Sequence, residues 1–279
     1  MPQDEPVGEN PPDGAIIDYY LANNANGPIT LIITDKAGKT VRRYSSADTQ
    51  YTIPKVNIPL YWVRPQQKLS GRAGAHRIVW DMHYQPLNVP PAYPISAVYG
   101  NTAPVPTSPW VMPGDYTVSL IVNGNTYSQP LTVAMDPRVK TPTRDLQLQH
   151  DLSYSCYSAQ RKLAKVERDV ADIIVQLSAL PATTPEAIFA IASGLKQQLT
   201  RLTEGPESCN AISKSLGRMA DGIQGADVAP TTQLQNAVAV TLPRYDAIVN
   251  KWQAVKQQLP DLNKQLAGAG MKKVKYKME

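Results

Sequence analysis

The sequence predicts two successive parts of different class: an antiparallel β-sandwich of the immunoglobulin or fibronectin type, then an up-down bundle of four helices. Three observations predict it. Up to Met135-Asp-Pro-Arg-Val-Lys-Thr141, apolar residues alternate with polar ones among turns rich in Gly, Pro and Asn; beyond it they recur every three or four residues. A period of two marks half-buried strands, and a period near 3.6 marks amphipathic helices. A length of 279 residues suits about two domains, and 42% hydrophobic content supplies real cores and excludes global disorder. The division reads as a linker over 1–14, a sandwich over 15–138, a helical bundle over 143–268 and a basic tail over 269–279.

The strands follow in order. Ala15-Ile-Ile-Asp-Tyr-Tyr-Leu21 opens the sandwich after a Pro-rich lead-in. Pro28–Thr34 and Thr40–Tyr44 form a hairpin around the turn Asp35-Lys-Ala-Gly38. Ala75–Met82 is entered through Gly71 and Gly74. Gly114–Val122 and Thr126–Val133 flank Asn123-Gly124, among the strongest short hairpin signals. About seven short strands are expected in all. Two stretches do not read as strands. Residues 45–70 hold the aromatic knot Pro59-Leu-Tyr-Trp-Val63, and the long loop 85–113 carries eight prolines with Tyr93, Tyr99 and Trp110 between them. A loop of that length either drapes over a sheet edge or binds a ligand.

The helices are equally legible. Thr143 is the expected cap of the first, whose seam runs Leu148, Leu152, Cys156, Ala159, Leu163, Val166, Val170, Ile173, Leu177 to a stop at Pro181. Thr184-Pro-Glu opens a second helix with the stripe Ile188, Ile191, Leu195, Leu199, Leu202. After Gly205-Pro206 a third carries Cys209, Ile212, Leu216, Met219 and Ile223. The last begins near Thr231 and places Leu234, Val238, Leu242, Tyr245, Val249, Trp252, Val255, Leu259, Leu262 and Leu266 inward, kinked at Pro243 and kinked or interrupted at Pro260.

Cys156 and Cys209 both fall on core-facing stripes. Cys156 lies about 24 residues, roughly 36 Å of helix, before Leu180; a return helix of about 20 residues, roughly 30 Å, brings Cys209 to a similar height. Two readings stay open: two buried free thiols, or a disulfide tying the first helix to the third in an exported protein.

Charge excludes a nucleic-acid binder. The net of +5 divides as +1 over residues 1–141 and +4 over 142–279, and Lys272-Lys-Val-Lys-Tyr-Lys-Met-Glu279 supplies +3 of the latter. The body has no basic stripe to follow a phosphate backbone, and the tail reads as a solvated, frayed end. No apolar run approaches the ~20 residues of a membrane span. The start, Met1-Pro-Gln-Asp-Glu-Pro, lacks the pattern of a secretory leader.

Motifs for chemistry are sparse. His76, His83 and His150 are the three histidines. Asp81 and His83, two apart, would share a strand face and could begin a metal site, but no third ligand stands at a telling spacing. There is no Gly-rich phosphate loop, nucleophile elbow or Cys-x-x-Cys, and no cofactor is expected. Trp80 and Trp252 read as core residues. Glu167, Asp169 and Asp172 interleave with Arg161, Lys165 and Arg168 as a solvated helix face. Fourteen Tyr and four Trp against one Phe suit partly wet sheets and interfaces.

A set of spaced motifs covers nearly the whole chain. They are Gly8-Glu-Asn-Pro-Pro-Asp-Gly-Ala15 with Asp18-Tyr-Tyr-Leu21, Leu60-Tyr-Trp62, Gly74-Ala-His-Arg77 with Val79-Trp-Asp81, and Pro113-Gly-Asp-Tyr116. Met135-Asp-Pro-Arg138, Asp227 with Pro230-Thr231, and Leu262-Asn263 continue it. In these the chain resembles the C-terminal module of large exported bacterial proteins with neuraminidase-type (BNR) or sortilin-type β-propellers, often labelled glycosyl hydrolases. The β half also resembles the immunoglobulin-like domain of flagellar hook-capping proteins. The propeller of that family, where any sialidase-like site would lie, is absent here, so the resemblance carries no catalytic residue onto this sequence. It implies a non-catalytic accessory module, periplasmic or secreted, partnered by a propeller in cis or in trans. Two other functions are in play: a carbohydrate-binding module stacking sugars on Trp62, Tyr93, Tyr99 or Trp110, and part of a glycoside hydrolase with carboxylates on the sandwich loops.

Overall fold

The computed structural model describes residue 8 and residues 11–53, 55–89, 91–93 and 100–276. The chain separates into two compact units, Met1–Lys140 and Thr141–Glu279.

In the first unit the described residues form six strands: β1 (Ala15–Leu21), β2 (Thr30–Asp35), β3 (Thr40–Ser45), β4 (Gly74–Trp80), β5 (Gly114–Val122) and β6 (Asn125–Val133). They build two antiparallel sheets, β1-β4 and β3-β2-β5-β6. The alternation seen in the sequence is what each sheet buries. Leu21, Ile78 and Trp80 of one sheet meet Leu31, Ile33, Val41, Tyr116, Val118 and Val122 of the other in a single core. Positive φ at Asn123 (51°) and Gly124 (82°) gives the β5–β6 turn the twist that the strands need. β6 is an edge strand, exposed along most of its length.

The stretches that resist reading as strands supply two isolated bridges, Val63–Thr102 and His83–Trp110. Glutamine side chains there seal sheet edges. Gln67 donates its amide to Val79 O at 3.1 Å and accepts Val79 N–H at 2.7 Å, and Gln85 Oε1 accepts Arg43 N–H at 3.1 Å. These contacts supply the partners that bare edges of β4 and β3 would lack.

The second unit holds α1 (Thr143–Ser178), α2 (Glu186–Thr203), α3 (Cys209–Ile223), α4 (Thr232–Lys256) and α5 (Leu259–Gly268) around one core. Pro260 sits in the first turn of α5, where no N–H is needed, so the expected last helix is two helices; Pro243 lies within α4. Ser208 and Thr231 cap α3 and α4 by accepting the N–H groups of Ala211 and Leu234. Thr143 is not a cap. Pro142 and Pro185 occupy the N-cap positions of α1 and α2, and the Thr184 hydroxyl turns back to donate to Pro181 O at 2.6 Å.

Three stripe assignments also shift, one of them Val249, whose inward place Ile248 takes. Leu148 is exposed and Leu146 is buried in its place at the start of α1. Ala192 takes the inward place given to Ile191. The tail is not frayed through its described part. Val274 is 5% exposed and packs, with Met271 and Tyr276, on the helical core. No helix among the described residues is long and apolar enough to cross a membrane.

Candidate functional site

A group of polar and aromatic side chains gathers where β4 ends. Trp80 closes the strand fully buried, and its Nε1–H donates to His83 O at 3.0 Å. Met82 then takes φ 56°, so Asp81 and His83 do not share a strand face as the sequence suggested. The chain turns tightly instead: His83 Nδ1 lies 2.7 Å from Asp81 O, and His83 N–H donates to Asp81 Oδ1 at 3.2 Å. The imidazole is buried and lies against Trp110, with ring centroids 3.9 Å apart.

Residues 82–87 zip to 107–111. Tyr84 N–H donates to Pro109 O, Val111 N–H to Met82 O, Ser108 Oγ–H to Tyr84 O, and Leu87 N–H to Thr107 Oγ1. This clasp closes the neck of the Pro-rich loop. From β3, Arg42 reaches into the same place, donating to Tyr84 O at 2.8 Å, lying 3.7 Å from the Asp81 carboxylate and stacking 4.9 Å over Tyr44.

Electrostatics follow from this packing. Burial pushes the His83 imidazolium down from its ordinary value, with Arg42 adding to the effect and Asp81 opposing it. Burial also holds the Tyr44 phenol up to about 12, so it stays protonated. The cluster therefore presents a neutral ring, a largely buried cation and a half-exposed carboxylate, and its hydrogen bonds pin backbone.

The sequence-predicted aromatics separate. Trp110 is 48% exposed over the clasp. Trp62 is half-buried in the single 3-10 turn Leu60–Trp62 and packs against a small core of Ile58, Val63 and Tyr93. Tyr93 is buried there, with its hydroxyl 3.3 Å from that of Tyr51, so its faces are covered and a sugar-stacking role for it is corrected. Tyr99 lies outside the described residues. The loop is pinned at this far point too, by Thr102 N–H to Trp62 O and Arg64 N–H to Thr102 O, so its described part drapes over the unit.

Cys156 and Cys209 are free thiols, both fully buried. The helices that carry them run antiparallel: Gln149 Nε2 donates to Ile223 O and Gln160 Nε2 to Ser213 O. In that register Cys209 lies opposite residue 164 or so of α1, about 12 Å along the axis from Cys156. A disulfide requires Cα atoms within about 7 Å, which corrects the proposed pairing. The expectation of equal heights assumed a longer return; α2 has 18 residues. Burial lifts both thiols to about 11, and the Glu167 carboxylate adds to this at Cys209.

The histidines stand apart. His76 Nε2 is 2.7 Å from Arg72 O, and His150 Nδ1 is 3.1 Å from Asp151 Oδ1. Among the described residues no group of three or more His, Cys, Asp or Glu is placed to hold a metal ion.

Most of the spaced motifs brace the scaffold. Asp18 and Arg77 face each other across β1–β4 with two hydrogen bonds of 2.8 Å. The Tyr116 hydroxyl donates to Met112 O, Arg138 chelates Asp136, Thr231 caps α4, and Asn263 holds the backbone of Val274. Large side chains from the same motifs that instead reach solvent are Tyr20, Leu60 and Tyr61, the last two 66% and 73% exposed. Leu60-Tyr-Trp62, an aromatic knot in the sequence, turns its first two members outward, which polar residues on both sides of it do not announce.

No protein-family model matches the chain, and no curated protein matches its sequence.

Proposed function

We propose that this chain is a non-catalytic accessory module, an immunoglobulin-like sandwich joined to an up-down helical bundle, that works outside the cytoplasm by docking on a β-propeller. The observation that carries this reading is the division of labour within the motifs. Most of their residues brace the backbone, while Leu60 and Tyr61 hold large apolar surfaces in solvent beside a pinned loop. Exposed apolar side chains on rigid backbone are what a protein interface requires, since little ordering entropy is lost on association. Ile53, Val89 and Val105, in the two stretches that do not form strands, are exposed apolar residues as well. Isothermal titration of the purified chain with a purified neuraminidase-type β-propeller tests the proposal. Micromolar or tighter association that weakens at least tenfold in Leu60→Ser/Tyr61→Ser, with circular dichroism unchanged, is expected. No association, or indifference to both substitutions, overturns it.

A second reading rests on Trp110. Its half-exposed indole, backed by His83, has the form of a sugar-stacking platform. Glycan-array binding that vanishes in Trp110→Ala would establish it, and silence on every glycan would remove it.

A further inference from the structure

The segment after α5 is held in a way that ordinary tails are not. Gly270, at φ 70°, reverses the chain beyond the helix, and Met271 N–H closes the turn on Leu266 O at 2.8 Å. Residues 271–276 then run back along α5 without regular secondary structure. Two carboxamides read their main chain. Asn263 of α5 donates to Val274 O at 2.9 Å and accepts Val274 N–H at 2.7 Å. Gln176 of α1 donates to Lys275 O at 2.9 Å and accepts Lys275 N–H at 2.7 Å. The segment bridges α5 and α1 through these bonds. Val274 is buried, Met271 and Tyr276 are partly buried, and Lys272, Lys273 and Lys275 face solvent.

That combination has the logic of extended-peptide recognition: main-chain hydrogen bonds supply affinity and spaced apolar contacts supply selectivity. We propose that α1 and α5 form a peptide-binding groove, selective for an extended segment with apolar side chains at its first, fourth and sixth positions. The chain's own residues 271–276 are the ligand that fills it in cis. The tether adds to these contacts, because a short link gives an effective concentration of about millimolar. A free peptide must outcompete that concentration.

The test uses the full chain. In Val274→Asp, a carboxylate replaces the buried valine and the segment should leave the groove. The amides at positions 274 and 275, whose acceptors are Asn263 and Gln176, should then exchange with solvent at least tenfold faster while α1 and α3 keep their protection. A fluorescent, amidated Met271–Tyr276 peptide should bind this variant saturably, and bind the unsubstituted chain at least tenfold more weakly. Asn263→Leu tests the clamp separately: it keeps an apolar surface but removes both bonds to Val274, so tail exchange should again accelerate tenfold. Failure of the peptide to bind Val274→Asp, equal binding to both chains, or unchanged tail exchange in Asn263→Leu would each overturn the proposal. So would loss of helical circular dichroism in Val274→Asp, since the segment would then be core rather than ligand.

Discussion

Replacing Trp80 by Phe probes how tightly the β core is joined to the clasp above it. Trp80 is fully buried, meets Tyr116 edge to face at 5.5 Å, and donates Nε1–H to His83 O. Phenylalanine keeps a ring but removes two carbons and the donor. At about 0.8 kcal/mol per carbon, the lost burial is roughly 1.6 kcal/mol. Depriving a buried carbonyl of its donor costs a further 1–3 kcal/mol or so. The expected destabilisation of about 2.6–4.6 kcal/mol should appear in native-state hydrogen exchange as a roughly 80- to 2,400-fold acceleration of the most protected β2 and β5 amides. The backbone bonds of residues 82–87 to 107–111 should loosen with them, because His83 O is the junction between core and clasp. Acceleration below fivefold would refute the argument, showing that the indole bond carries nothing and that the core closes over the smaller ring.

Three further outcomes are expected. Gly14→Ala should disrupt β1–β4 pairing, because a Cβ there would stand 2.1 Å from Trp80 O on a backbone with φ 139°; a melting temperature within 2 °C or so of the original would contradict this. The value of His83 is lowered in the fold, so its neutral ring contributes stability that is whole above the unfolded value near 6.5 and is lost as pH falls through the lowered folded value. Thermal melts between pH 7.5 and 5 should therefore fall more steeply for the parent chain than for His83→Gln, and parallel slopes would remove His83 from the account. Cys156 and Cys209 should resist alkylation in native protein at pH 8 and both react once unfolded, without prior reduction; a mass two protons lower before reduction would reinstate a disulfide.

The site was much less legible than the elements. Asp81 and His83 come together through the positive φ at Met82, a conformation that a non-glycine residue rarely adopts and that no local pattern announces. Arg42 joins them only because β3 lies alongside, which pairing decides. Tyr93 and Trp110 are both aromatic residues in one Pro-rich loop, yet one is buried and the other half-exposed, since the fate of each depends on what the loop drapes over. The tail lysines masked the inward Met271, Val274 and Tyr276, whose docking depends on Gln176 almost a hundred residues earlier.

What the chain determines by itself is whatever repeats locally. Period two within the strands between Ala15 and Val133, a period near 3.6 from Leu148 to Leu266, and the turn at Asn123-Gly124 assign strands, helices and the boundary near Thr141 without reference to distant residues. Tertiary structure alone decided the sheet order β3-β2-β5-β6, the axial offset of the two cysteines and the capture of the tail. Those depend on register and on side chains meeting across long separations, where each contact carries only about 1 kcal/mol and the choice belongs to the whole packed core.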